Sequence, residues 1–168
     1  MSTNELKMIY FILVYTHLQY DLGAWGSATK TSLHRLNTIH NKIIKTISWS
    51  SYRCHVTPLY SQLHLLKLEE IHQLEIAKLM HNFHSNRMPN TFDHPFTAVK
   101  SVHTHETRSS TFGQYFCHPV SSQYGKISIK FKGPRIWQQT DSFLKELSPF
   151  IFKKWYKNSI IESYKNHE

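Results

Sequence analysis

From Leu6 to Leu18 the apolar positions Leu6, Ile9, Tyr10, Leu13, Val14 and Leu18 recur at intervals of one helix face. Ser2 and Glu5 stand just upstream at the spacing of a capping box, and the pattern stops at "DLGAWG", so a first helix is predicted over residues 4–20. Its run "MIYFILVY", Met8 to Tyr15, is about half of what a bilayer span needs. Glu5 and Lys7 precede the run without a small-residue cleavage site following, so it reads as a buried helix and no membrane partner is expected.

The next stretch, "TSLHRLNTIHNKIIKTIS", places Leu33, Leu36, Ile43, Ile44 and Ile47 on an apolar stripe and gathers Arg35, Lys42 and Lys45 on the polar side. A second, basic-faced helix is predicted. Thr57 followed by Pro58 reads as an N-cap and first turn, opening a short helix to about Leu65. A longer helix then carries Leu68, Ile71, Leu74, Ile76, Leu79, Met80 and Phe83 and ends at "SNRMPNTF". Residues 1–88 are therefore expected to form a small helical bundle of antiparallel neighbours joined by short turns.

From Pro89 to Ser110 the chain turns polar and histidine-rich with no sustained period, which marks a linker or long surface loop. "GQYFCHP" and "GKISIKFKG" are the strand candidates, paired as a small hairpin with "VSSQY" between them. In the second of these, Ile127, Ile129 and Phe131 lie on one face of an extended chain, and Lys126, Ser128, Lys130 and Lys132 on the other. Gly133 and Pro134 resemble a helix start for "PRIWQQ", and Ser148 with Pro149 caps a last helix that sets Phe152, Trp155 and Ile160 against Lys153, Lys154 and Lys157. The expected fold is mainly α: a helical bundle over 1–88, a polar linker over 89–113, and a small α+β extension over 114–168 with a short β-hairpin.

Length adds little, since 168 residues suffice for one domain with a real core. Charge adds more. Twenty Lys and Arg stand against eleven Asp and Glu, a net +9, and the thirteen histidines can add charge beside a phosphate. A polyanion is the natural partner. Nucleic acid fits best because each cation near a phosphate releases a condensed counterion, whereas a membrane surface asks for a compact basic amphipathic helix. The competing reading is a basic protein that merely stays in solution.

Cys54 and Cys117 form neither a disulfide framework nor a Cys-x-x-Cys pair, so an intracellular compartment, cytoplasm or nucleus, is expected. His81 with His84, His103 with His105, and the pairs Cys54-His55 and Cys117-His118 match no zinc frame, and neither metal nor cofactor is expected. Asp21, Asp93 and Asp141 are widely separated, so no adjacent pair holds two magnesium ions for nucleotidyl transfer. A nucleophile elbow and a Walker-type loop are also missing from the sequence. The residues read as a binding module and not an enzyme. Three lysines aligned on one strand face repel unless an anion compensates them, which fits a phosphate contact; a sheet edge guarded by lysines fits the pattern equally well.

Taken in order, "LKMIYFILVYTHLQYDLGAWG", "SLHRLNTIHNKIIKTI", "TPLYSQLHLLKLEEIHQLEIAKLMHNFHSNRMP", "TRSS" and the Gly133-Pro134-x-x-Trp137 element resemble a known arrangement. It is the region after the catalytic palm in reverse transcriptases of non-LTR (LINE-type) retrotransposons, especially the jockey-like group. The resemblance spans nearly the whole chain and rests on the order and spacing of the motifs. It implies that the first part is thumb-like, a helical bundle that closes on primer and template, and that the remainder is a C-terminal extension. A thumb grips a duplex through its backbone, so the expected sequence-independent contacts are Arg35, Lys42 and Lys45, joined by Lys126, Lys130, Lys132 and Arg135.

The family follows its Trp with Asn and then Leu-Pro, where this chain has Gln138, Gln139 and Thr140. The palm with its Tyr-x-Asp-Asp motif, the fingers and the endonuclease are missing. The resemblance thus implies a parent family of RNA-directed DNA polymerases without its catalysis, as in a fragment of a transposable element, a truncated gene model or one exon of something longer. The expected function is non-specific backbone binding; the alternative is a basic helical protein-interaction or structural module. A thumb without its palm leaves apolar surface at Met8, Phe11 and Ile12 uncovered, which is expected to promote self-association.

Overall fold

The computed structural model describes residues 1–20, 22–89, 96–102 and 114–164. It is mainly helical, as the apolar period predicts. Two compact units divide the chain: Met1–His72 with Tyr156–Glu168, and Gln73–Trp155.

In the first unit, helix α1 is α-helical over Thr3–Ile9, π-helical over Tyr10–Tyr15 and α-helical again over Thr16–Gln19. The capping box at its start is complete: Ser2 N–H donates to Glu5 Oε2 at 2.9 Å, and Glu5 N–H to Ser2 Oγ at 3.3 Å. The i→i+5 bonding of the π segment takes more residues per turn than an α-helix and so rotates the apolar stripe. Tyr10 and Leu18 are buried, while Met8, Ile12 and Leu13 are 65, 60 and 58 % exposed. The run read as a buried helix therefore keeps one side in solvent.

One turn, α2 (Leu22–Trp25), leads to α3 (Lys30–Ile47), which starts where the Thr29 side chain accepts the Ser32 N–H. Helix α4 (Thr57–Leu63) follows, with Pro58 in its first turn and Val56, not Thr57, as the capping residue. Helix α5 (Leu68–His84) begins in this unit and its residues from Gln73 belong to the second. Ile44, Ile71, Leu65 and Leu68 are fully buried, each contributing about 1.5–3 kcal/mol by leaving water.

In the second unit a single turn, α6 (Val99–Val102), is followed by α7 (Gln123–Ile127), α8 (Ile129–Gln139), α9 (Ser142–Lys145) and the start of α10 (Pro149–Ser163), whose residues from Tyr156 belong to the first. Most of the predicted linker, 90–95 and 103–113, lies outside the described residues. The described part of it is not merely a linker. Phe96 and Val99 are buried, and Ala98 forms an isolated antiparallel bridge with Tyr115.

The predicted β-hairpin is not present among the described residues, and "GKISIKFKG" is helical. Ser128, extended at ψ 149°, ends α7 and starts α8. Gly133, Pro134, Trp137 and Thr140 are all buried, a set spaced for one helix face but split across two faces of a strand. Burying Trp137 completely outweighs the two-residue alternation upstream of it and the amide hydrogen bond that Pro134 cannot make. Gly133 lets this face come close to its neighbours, because a Cβ there would lie 2.8 Å from Met80 Sδ and 3.0 Å from Phe96 Cε1. At the far end, Phe152 is buried as predicted, but Trp155 is 54 % exposed.

Candidate nucleic-acid interface

Arg35, Lys42 and Lys45 all stand on α3. At about 100° per residue, Arg35 and Lys42 differ by about 20° around the axis and Lys42 and Lys45 by about 60°, so the three share a face. Arg35 and Lys42 are exposed and Lys45 is half-buried. The last two line an open depression of about 520 Å³ together with Thr46, Trp49, Ser50 and Tyr52. No carboxylate is among these residues. The structure thus gathers two of the predicted contacts into a cationic site and adds two aromatic rings that the charge pattern did not single out.

The end of α3 builds this site. Ser50 N–H donates to Lys45 C=O at 3.0 Å and Trp49 N–H to Thr46 C=O at 3.2 Å, the two bonds of a Schellman motif. The chain reverses at Trp49 with φ 54° and carries Tyr52 back toward the helix. Lys45 Nζ donates to the Tyr52 carbonyl and lies 5.4 Å from the centroid of the Tyr52 ring. Trp49 and Tyr52 remain 68 and 77 % exposed.

The other predicted contacts are not brought together in this way. Lys126 is in α7, while Lys130, Lys132 and Arg135 are in α8. On a helix Lys130 and Lys132 diverge by about 160°, where a strand would have aligned them. Lys126, Lys130 and Arg135 are exposed and Lys132 is half-buried. The Arg135 guanidinium packs 5.0 Å from the centroid of the Phe131 ring.

Three histidines, His40, His72 and His81, are buried among the described residues; the sequence reading assigns His40 no role and His81 only a place in a pair that matches no zinc frame. In the first unit Tyr60 O–H donates to Asn41 Oδ1 at 3.0 Å, so its oxygen accepts from His40 Nδ1–H at 3.0 Å. The neutral ring then leaves Nε2 to accept Tyr10 O–H at 2.9 Å. Burial pushes the His40 pKa down to about 4 and those of Tyr10 and Tyr60 upward. One signal for His40 is its position four residues before Ile44 and seven before Ile47, on the apolar stripe itself.

In the second unit His81 pairs Nε2 with the Leu147 carbonyl at 2.9 Å and stacks on Phe152 with ring centroids 4.4 Å apart. Its Nδ1 and the Trp137 indole N–H are buried with no hydrogen-bond partner among the described residues. Burial lowers the His81 pKa. His84 Nδ1 meets Tyr115 OH at 3.1 Å. These contacts account for the His81/His84 pair structurally. His103 and His105 lie outside the described residues.

Among the described residues no group of three or more His, Cys, Asp or Glu side chains is placed to hold a metal ion. No helix among them is long and apolar enough to cross a membrane. No protein-family model, curated protein or solved structure matches the chain.

Proposed function

We propose that this chain binds nucleic-acid backbone without reading base sequence and without catalysis of its own. The observation that carries the reading is the gathering of Lys42 and Lys45, with Arg35 on the same helix face, beside a depression that no carboxylate lines. A net charge of +9 favours such a partner over a neutral one. In this reading the chain corresponds to the thumb and post-thumb region of a non-LTR retrotransposon reverse transcriptase, and its setting is intracellular. The absence of an adjacent aspartate pair from the sequence supports the lack of catalysis.

Salt-titrated binding to an RNA–DNA hybrid and a DNA duplex tests the grip. Arg35→Ala with Lys42→Ala is the cleanest pair, because Lys45→Ala also frees the Tyr52 carbonyl. The double variant is expected to lower the slope of log affinity against log salt by about 2, equally for both duplexes. An unchanged slope in the folded variant overturns the reading. Primer extension by the purified chain with magnesium would overturn the non-catalytic part. An in-frame Tyr-x-Asp-Asp palm in the genomic sequence upstream of Met1 would support the family assignment.

A second reading, a protein-interaction module, is favoured by exposed apolar side chains: Met8, Ile12 and Leu13 in the first unit, and Phe143, Phe150 and Trp155 in the second. A concentration series in sedimentation separates the two readings. Self-association that Met8→Lys with Ile12→Lys abolishes, together with absent nucleic-acid binding, selects the second.

A further inference from the structure

A backbone grip does not explain why residue 49 is tryptophan. Trp49 occupies the position just past the helix cap, where the left-handed backbone at φ 54° crowds a Cβ and glycine is favoured. The equivalent turn after α5 has Asn86 at φ 53°, with Arg87 N–H donating to Asn82 C=O at 2.9 Å, and asparagine tolerates that conformation. Trp49 has no such tolerance. Nor does burial compensate it, since the side chain is 68 % exposed. Both costs make sense if the ring faces a partner from outside the chain.

The surroundings narrow that partner. Trp49 and Tyr52 offer π faces, Lys42 and Lys45 offer cations, and Thr46 and Ser50 offer hydroxyls, all around one depression of about 520 Å³. That volume lies within the range of about 300–1,000 Å³ typical of small-ligand sites. Rings interleaved with lysines suit a nucleotide whose base stacks while its phosphate meets a cation. Bases inside a duplex have their faces covered by neighbours, so only an unpaired base can use the Trp49 ring.

We propose that the Lys42–Trp49–Tyr52 depression binds an unpaired nucleobase of single-stranded nucleic acid, stacked on Trp49 with an adjacent phosphate on Lys42. This rests on the backbone-binding reading and adds to it a preference for single strands. Lys45, tied to the Tyr52 carbonyl, positions the second ring.

Fluorescence anisotropy of the full chain tests it with four probes: a twelve-nucleotide oligothymidine, an abasic strand of equal charge, a duplex, and oligoglutamate. Trp49→Gly is expected to weaken oligothymidine binding about tenfold or more, while leaving the abasic strand, the duplex and the salt slope unchanged. Trp49→Tyr keeps a ring and most of the affinity. Because glycine suits the turn, Trp49→Gly should also melt about 2–4 °C higher than the wild type. Wild-type affinity of Trp49→Gly for oligothymidine, with a normal salt slope, overturns this inference and leaves the backbone reading standing. No binding to any probe overturns both. Tighter binding of oligoglutamate, lost in Trp49→Gly, assigns the depression to an acidic protein partner instead and likewise overturns the proposal. A lower melting point for Trp49→Gly overturns the argument from backbone strain.

Discussion

His40 in the first unit and His81 in the second are each 1 % exposed on the apolar stripe of a long helix, yet they are used differently. His40 engages both ring nitrogens in a directed chain from Tyr10 through the imidazole and Tyr60 to Asn41. His81 engages one nitrogen and serves mainly as a flat plate, stacked on Phe152 beside Trp137. The same residue type can thus be a polar hub or an aromatic filler. What differs is whether hydroxyls on neighbouring elements reach the second nitrogen, and the energy at stake is that of a buried polar group left unpaired.

Replacing each histidine by phenylalanine gives the largest contrast. His40→Phe leaves two tyrosine hydroxyls without their imidazole and is expected to cost about 2–4 kcal/mol in denaturant unfolding. His81→Phe strands only the Leu147 carbonyl and removes an unpartnered nitrogen, so about 1 kcal/mol or less is expected. Equal costs would break the comparison.

Acid should find the same difference. Burial lowers the pKa of both rings, that of His40 to about 4, so between about pH 6.5 and 4 the unfolded chain binds more protons than the folded one. Stability is therefore expected to fall as pH drops through this window and to level off below it, with about 3 kcal/mol from His40. Glu70, whose carboxyl burial pushes up, acts in the opposite sense, costing stability as pH rises out of the ordinary carboxylate range. Unfolding curves at pH 7 and 4.5 check this, and His40→Phe should flatten the acid limb. An equally steep limb in that variant would move the effect elsewhere.

The basic residues sharpen the comparison with the smallest effect. In the first unit Arg35, Lys42 and Lys45 share a helix face; in the second, Lys130 and Lys132 point about 160° apart. Replacing Lys126, Lys130 and Lys132 by alanine is expected to change stability by within about 0.5 kcal/mol and the salt slope by less than about 1. A slope change of about 3 would mean that all three lysines meet phosphates despite their divergence.

The sequence by itself determined the mainly helical class, the complete Ser2–Glu5 capping box, the basic face of α3 and the apolar stripes of α3 and α5. Each follows from local spacing along one segment, where the three-to-four-residue period and the cap chemistry act within a few residues. Tertiary structure decided the rest. A two-residue alternation over Lys126–Lys132 lost to the burial of Gly133, Pro134 and Trp137 on one helix face, a term invisible until Met80 and Phe96 are in place. It also decided that the Tyr10 and Tyr60 hydroxyls converge on His40, and that Trp49 and Tyr52 flank Lys42 and Lys45 at the reversed end of α3. Burial energy and hydrogen-bond satisfaction depend on what distant segments bring, and no local period encodes that.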